Sequence, residues 1–304
     1  KQGNCVVSVS PDRNMLYLGN RYTKKGEPNG GGLSVSFHQG NNRWSVPQDV
    51  IIENFENTGQ YVSYSFSPDQ RVLITAIENK HSLGNLDLFV SFSKAGNKWS
   101  EPVNMGAVIN TFEMEFSPFV AADGQTLYFS SKGHAGYGSA DIFMSKRLDD
   151  TWLNWSSPQN LGPVINTENW DGYFTIPAQG NIAYLSSAND AIGGSDIFKV
   201  TLVKEAQPEP VALVSGKVIN GNTGEPLSAT IRYKLLETDE EVGRAISNQL
   251  DGRYQISLKG GNKYSFMAQK EGYYPVSDYL DLKELTSYYE IDKDLLLAPI
   301  ETGQ

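Results

Sequence analysis

The feature that most constrains this chain is that it repeats itself. When the copies are aligned on the acid of the Ser-Pro-Asp and Ala-Asp-Gly turns, Asp12, Asp69, Asp123 and Gln179 correspond, 57, 54 and 56 residues apart. Four residues on, each copy begins an apolar run: Leu16-Tyr17, Leu73-Ile74, Leu127-Tyr128 and Ala183-Tyr184. About 18 residues after the turn come Asp87, Asp141 and Asp196, each followed by an aliphatic residue and Phe. Trp44, Trp99 and Trp155 follow, each before a Ser and, shortly after, a Pro. Asn104-Met105-Gly106 and Asn160-Leu161-Gly162 then lead into Val-Ile-Asn-Thr at 108–111 and 164–167. Self-similarity at a fixed period is the mark of a repeat architecture.

Each copy holds about four short runs rich in Val, Ile, Tyr, Phe and Ser, separated by Gly, Asn, Asp and Pro, which is the pattern of antiparallel strands. Side chains alternate across a strand. Ile and Phe of Asp-Ile-Phe therefore point to opposite faces, and since both are large and apolar the sheet is expected to be covered on both sides. Four-stranded sheets packed face to face around an axis make a β-propeller. The expected fold is all-β: a propeller with four visible repeats over 1–203, a linker at 204–211, a small β-sandwich over 212–299, and a lead-in at 300–304 to a further domain. Copy one departs from the pattern, with Gly32 where the Asp is expected. Copy four ends in Val200-Thr201-Leu202 without its Trp-Ser-x-Pro strand. Residues preceding Lys1 are expected to supply that strand, closing a ring, or to supply further blades.

The units resemble the TolB-like, WD-repeat-like propeller repeat of outer-membrane-associated proteins of Bacteroidota. The residues that carry the likeness are Ser10 to Tyr17, Gly193 to Phe198 and Trp99 to Thr111. Beyond Glu205-Ala-Gln-Pro-Glu-Pro210 the repeat stops. Ser-Gly-Lys-Val (215–218), Thr-Gly-Glu-Pro-Leu (223–227), Asp-Gly-Arg-Tyr (251–254) and Lys-Glu-Gly-Tyr-Tyr (270–274) resemble the carboxypeptidase regulatory-like, transthyretin-like domain, a spacer or interaction module without a peptidase site. In this order the two regions resemble the OmpA-family envelope proteins of the PorE-like, type IX secretion-associated kind. The resemblance implies a periplasmic, outer-membrane-associated protein that binds envelope proteins, with peptidoglycan gripped only through an OmpA-like domain outside this chain.

The bulk numbers exclude some classes. The net charge is −10, with 25 basic and 35 acidic residues, which argues against a nucleic-acid face of clustered Lys and Arg. No apolar run approaches the roughly 18–20 residues of a transmembrane helix. The single cysteine, Cys5, rules out an intrachain disulfide. His38, His81 and His134 sit at unrelated offsets. No His-Glu-x-x-His, cysteine ligand pair or Gly-x-Ser-x-Gly occurs. Asp190, Ser195 and Asp196 lack the spacing and closing Glu of an EF-hand, and the glycine loop at 193–194 runs into a strand rather than the helix that a phosphate site needs. Sialidases carry a turn like Ala122-Asp123-Gly124, but the arginine cluster that they need is missing. No enzyme activity, metal or cofactor is expected. Asp87, Asp141 and Asp196 are read as turn-holding groups, and the three tryptophans as structural.

Binding is sought where the copies disagree. Eight residues before each turn acid lies the innermost strand, holding Asn4, Tyr61, Glu115 and Asp171, which could line a channel. Phe112, Met114 and Trp170 lie beside recurring Asn-Thr pairs without themselves recurring; structural packing is the plainer reading, and if exposed they would suit the rim of a protein-docking surface. Two readings stay open: a scaffold docking a protein on this rim, or a receptor holding a small ligand, glycan or peptide in the channel.

Overall fold

In the computed structural model, residues 5–10, 12–40 and 43–300 are described. The chain is all-β: among these residues the one helical element is a 3-10 turn at Lys204–Ala206. Two compact units form, Val50–Glu209 on the one hand and Lys1–Asp49 with Pro210–Gln304 on the other.

The second of these units begins with a four-stranded sheet of β1 (Val6–Val9), β2 (Met15–Gly19), β3 (Leu33–Phe37) and β4 (Gln48–Asp49). In the unit Val50–Glu209 the next sheet runs β5-β9-β8-β7-β6, with β10 also on β8. Its strands are β5 (Ile51–Ile52), β6 (Ser63–Phe66), β7 (Val72–Ile77), β8 (Asp87–Lys94), β9 (Lys98–Trp99) and β10 (Val103–Asn104). A third sheet holds β11 (Glu115–Val120), β12 (Thr126–Ser131), β13 (Asp141–Lys146) and β14 (Gln159–Asn160) in order. The fourth has three strands, β15 (Asp171–Thr175), β16 (Ile182–Ser187) and β17 (Asp196–Thr201).

The repeat is visible in the chemistry of its turns. Asp12, Asp69 and Asp123 each accept the amide two residues on, at Asn14, Arg71 and Gln125. The residue after each turn position is left-handed: Arg13, Gln70, Gly124 and Gly180 all have φ between 58° and 77°. Glycine meets that demand at no steric cost, whereas Arg13 and Gln70 meet it under strain.

Two cores lie between the sheets of this unit. Ile74, Leu88 and Met105 pack on Leu127, Phe129 and Phe143. Tyr128, Ile142 and Met144 pack on Phe174, Ala183 and Leu185. The third sheet is thus buried on both faces, with Ile142 and Phe143 filling opposite gaps as alternation requires. Residues 203–209 are tied down as well. Tyr128 Oη donates to the Ala206 carbonyl at 2.8 Å, the Glu209 amide donates to Asp123 at 3.0 Å, and Lys146 pairs with Glu209.

In the other unit, β18 (Val211–Asn220), β19 (Thr230–Leu235), β20 (Glu241–Ile246), β21 (Arg253–Lys259), β22 (Lys263–Gln269), β23 (Val276–Asp281), β24 (Tyr289–Asp292) and β25 (Leu295–Leu297) form two sheets. One is β21-β18-β24 with β25 also on β18; the other is β20-β19-β22-β23. Val214, Val218 and Ile256 of the first share one core with Ile231, Tyr233 and Phe266 of the second. The β1–β4 sheet meets this region through a hydrogen bond from Asn248 to Asn14.

Candidate functional site

The recurring residues build a latch at the outer edge of the second and third sheets. Asp87 accepts the amides of Leu83 and Gly84, and Asp141 those of Tyr137 and Gly138. Both carboxylates also accept the side-chain amide of an outer-strand asparagine: Asn104 on Asp87 at 2.7 Å, Asn160 on Asp141 at 3.0 Å. A second asparagine six residues later reads the backbone of the inner neighbour. Asn110 pairs with the N–H and C=O of Leu88, and Asn166 with those of Ile142. The serine of Trp-Ser closes the far end, with Ser45, Ser100 and Ser156 accepting the amides of Phe37, Phe92 and Lys146. Asp196 holds only its turn here, accepting the Ile192 amide at 2.8 Å. The tryptophans differ: Trp99 and Trp155 are buried, while Trp44 is part-exposed against His38.

Glu115 and Asp171 are fully buried rather than facing solvent. The Glu115 carboxylate accepts the Thr111 amide at 2.7 Å, the Thr111 hydroxyl at 2.8 Å and the Ser131 hydroxyl at 2.6 Å. Burial raises its pKa above the ordinary 4.5, and these hydrogen bonds pull the other way. Asp171, one methylene shorter, accepts the amide and hydroxyl of Thr167 at 2.6 and 2.9 Å. Its other oxygen has no partner among the described residues. Both carboxylates therefore serve the crossover between sheets.

Tyr61 does not share their position. Phe116 sits opposite Ser130 and Ser63 opposite Ala76, in matching registers, but β11 carries a bulge between Phe116 and Phe119 where β6 has none. The extra residue shifts the count by one, so Tyr61 lines up with Met114. Asn4 lies outside the described residues.

On the inner strands an aromatic ladder crosses from the third sheet to the fourth. Trp170 stacks on Phe116 with centroids 5.9 Å apart and planes 14° apart, and Tyr173 tilts against Trp170 at 5.6 Å. Gly172 makes room for it: a Cβ there would stand 2.8 Å from the Trp170 ring. Tyr173 is 65% exposed, Phe112 85% and Tyr61 66%; Met114 and Trp170 are half-buried. Phe116 and Tyr173 were missed from sequence. Tyr173 is the left-handed residue of the β15 bulge, with φ of 51°, and no spacing rule marks it. Among the described residues no group of three or more His, Cys, Asp and Glu could hold a metal ion. No helix there is long and apolar enough to cross a membrane.

No family model matches the chain, and no curated protein does. Among solved structures, the endo-arabinase from Bacteroides thetaiotaomicron aligns over 84% of this chain and 95% of its own, at 13% identity and a TM-score of 0.44. The hydroxyquinol 1,2-dioxygenase from Pseudomonas putida aligns over 31% of this chain at 14% identity and a TM-score of 0.24; the chain spans 58% of that enzyme's length. The Bacillus anthracis TIE protein aligns over 94% of this chain and 55% of its own, at 7% identity and a TM-score of 0.26. These likenesses are too slight to assign a fold or an activity.

Proposed function

We propose that the protein is a non-enzymatic scaffold of the bacterial outer envelope that docks a protein partner. The single observation that carries this reading is the aromatic ladder Phe116–Trp170–Tyr173, whose last ring is exposed at a position where the copies differ. Amphipathic aromatics of this kind supply contact area at small entropic cost and are enriched at protein interfaces. The receptor alternative gains less support, because Glu115 and Asp171 are buried and turn onto Thr111 and Thr167.

The finer reading follows from the resemblance of the repeats. The repeated sheets are blades of a TolB-like propeller, the region after 211 is a regulatory-like β-sandwich, and the parent is a periplasmic OmpA-family protein. In that parent a separate domain grips peptidoglycan while the propeller engages a secretion or outer-membrane complex. Capture from an envelope extract tests this. The wild-type chain should retain a defined envelope protein that a Trp170→Ala, Tyr173→Ser double variant releases. Equal capture by both, or none by either, would refute the docking reading.

A further inference from the structure

Exposed apolar side chains recur at one end of the repeated sheets. In the second sheet β7 and β10 both run antiparallel to β8, so the connections that follow them leave from the same end. The same holds for β12 and β14 on β13 in the third. Loop and crossover touch there: Asn104 donates to the His81 carbonyl, the Asn85 amide to Glu113 and the Ser139 amide to Asn169. The Lys132 and Ala188 amides in turn donate to Met114 and Trp170, at the end of each crossover. One continuous face results, from the second sheet to the fourth.

Each loop and crossover on this face carries an apolar tip. The acid of each copy holds the amide four residues before it, at Leu83, Tyr137 and Ile192, and all three side chains are exposed. In the crossovers Ile109 and Ile165 are buried, whereas the valine before each, Val108 and Val164, points out. Phe112 stands beside them, 85% exposed. The loop residue changes from Leu to Tyr to Ile and stays apolar, so it is the property that recurs. Scattered single exposures need no explanation, but a repeated place does. The next sheet is packed beside Leu83, Val108, Phe112 and Tyr137, so their exposure is not that of an open end. The tips are also held in place. A Cβ on Gly84 would collide with the Phe112 backbone, and one on Gly138 with the Thr167 carbonyl, so each loop lies tight on its crossover.

We propose that this face is a lipid-docking surface, whose tips enter the interfacial layer of an electrically neutral bilayer. The chemistry favours lipid over protein. Protein interfaces draw their binding energy from a packed centre rich in Trp, Tyr and Arg, where Leu and Val are under-represented. Here aliphatic tips stand on separate polar loops. Interfacial binding asks only for apolar area that can enter the headgroup boundary, and Tyr137 can bury its ring there while its hydroxyl stays wet. The charge fits as well. Across 79–86, 105–114, 132–140, 161–170 and 188–195 the charged side chains are Lys80 and Lys132 against Glu113, Glu168 and Asp190. Nearly all of the chain's net charge of −10 therefore lies elsewhere. A near-neutral face suits zwitterionic headgroups, and an acidic body is repelled by anionic ones.

The inference goes beyond the protein-docking reading and uses side chains other than Trp170 and Tyr173. Flotation of the full chain with phosphatidylcholine vesicles tests it. Wild type should float with the vesicles, and a Leu83→Ser, Val108→Ser, Tyr137→Ser triple variant should partition at least about tenfold more weakly. The acids hold only the backbone amides of Leu83 and Tyr137, so the variant should unfold at the wild-type denaturant concentration. A second readout does not depend on that variant: the added emission of Tyr137→Trp should be quenched by brominated phosphatidylcholine. Replacing part of the lipid with phosphatidylglycerol should weaken binding. No flotation of wild type, flotation unchanged in the triple variant, or binding seen only with anionic lipid overturns the proposal. So does loss of envelope-protein capture in the triple variant without any vesicle binding by wild type, which would make the tips a protein contact. The Trp170→Ala, Tyr173→Ser variant should float as wild type does, so the lipid face and the docking ladder can fail separately.

Discussion

The third and fourth sheets of the repeat are written in nearly the same residues and live in different surroundings. Ala-Asp-Ile-Phe at 140–143 is enclosed, whereas Ser-Asp-Ile-Phe at 195–198 stands at an edge. Ile142 is 0% exposed and Ile197 is 81% exposed. The comparison teaches that burial in a repeat comes from the neighbour rather than from the strand. The same Asp-Ile-Phe specifies a core residue when a further sheet covers it and a surface residue when none does.

The sharpest way to test that difference is to truncate the enclosed isoleucine. Ile142→Ala removes a fully buried side chain from the core shared with Phe174 and Leu185 and should cost about 2–5 kcal/mol. Denaturant unfolding of the unit measures it. A cost below about 1 kcal/mol would mean that the two sheets do not pack as described.

The latch gives the next effect. Asn160 donates to Asp141 and accepts from the Gly162 amide and the Asn166 side chain. Asn160→Ala leaves a buried carboxylate and an amide short of partners and should cost about 1–3 kcal/mol. Asp196→Ala releases only the Ile192 amide and should cost roughly 0.5–1.5 kcal/mol. Equal losses would erase the distinction between a complete and a half-made latch.

A pH-dependent contrast concerns Glu115, which the third sheet has where the fourth has Asp171. Burial raises the folded-state pKa of Glu115 above 4.5. Its contribution is therefore fully present below pH 4.5 and is lost as pH rises through the raised folded value. Glu115→Gln should flatten that part of the stability-against-pH curve, whatever constant offset the amide introduces opposite the Thr111 N–H. An unchanged slope would show that the group does not titrate differently in the folded state.

The repeat made much of the fold legible: the turn acids, the opposed Ile and Phe, and the latch carboxylates all follow from residue type and offset. The site was less legible for two physical reasons. A bulge adds a residue without changing composition, so counting back from Asp69 lands on Tyr61, one place from the true counterpart of Glu115. Polarity at an inner strand also looks the same whether a carboxylate faces a channel or turns back onto its own Thr. Sequence gives the residue, and only the Thr111 and Thr167 hydrogen bonds reveal the direction.

The smallest expected effect completes the comparison. Ile197→Ala is the same chemical change as Ile142→Ala at the matching place in the next copy. With the residue 81% exposed there is little apolar area to lose and no cavity to leave. The change should fall within about 0.5 kcal/mol of wild type in the same unfolding experiment. A cost approaching that of Ile142→Ala would mean that the outer face of β17 is covered in solution.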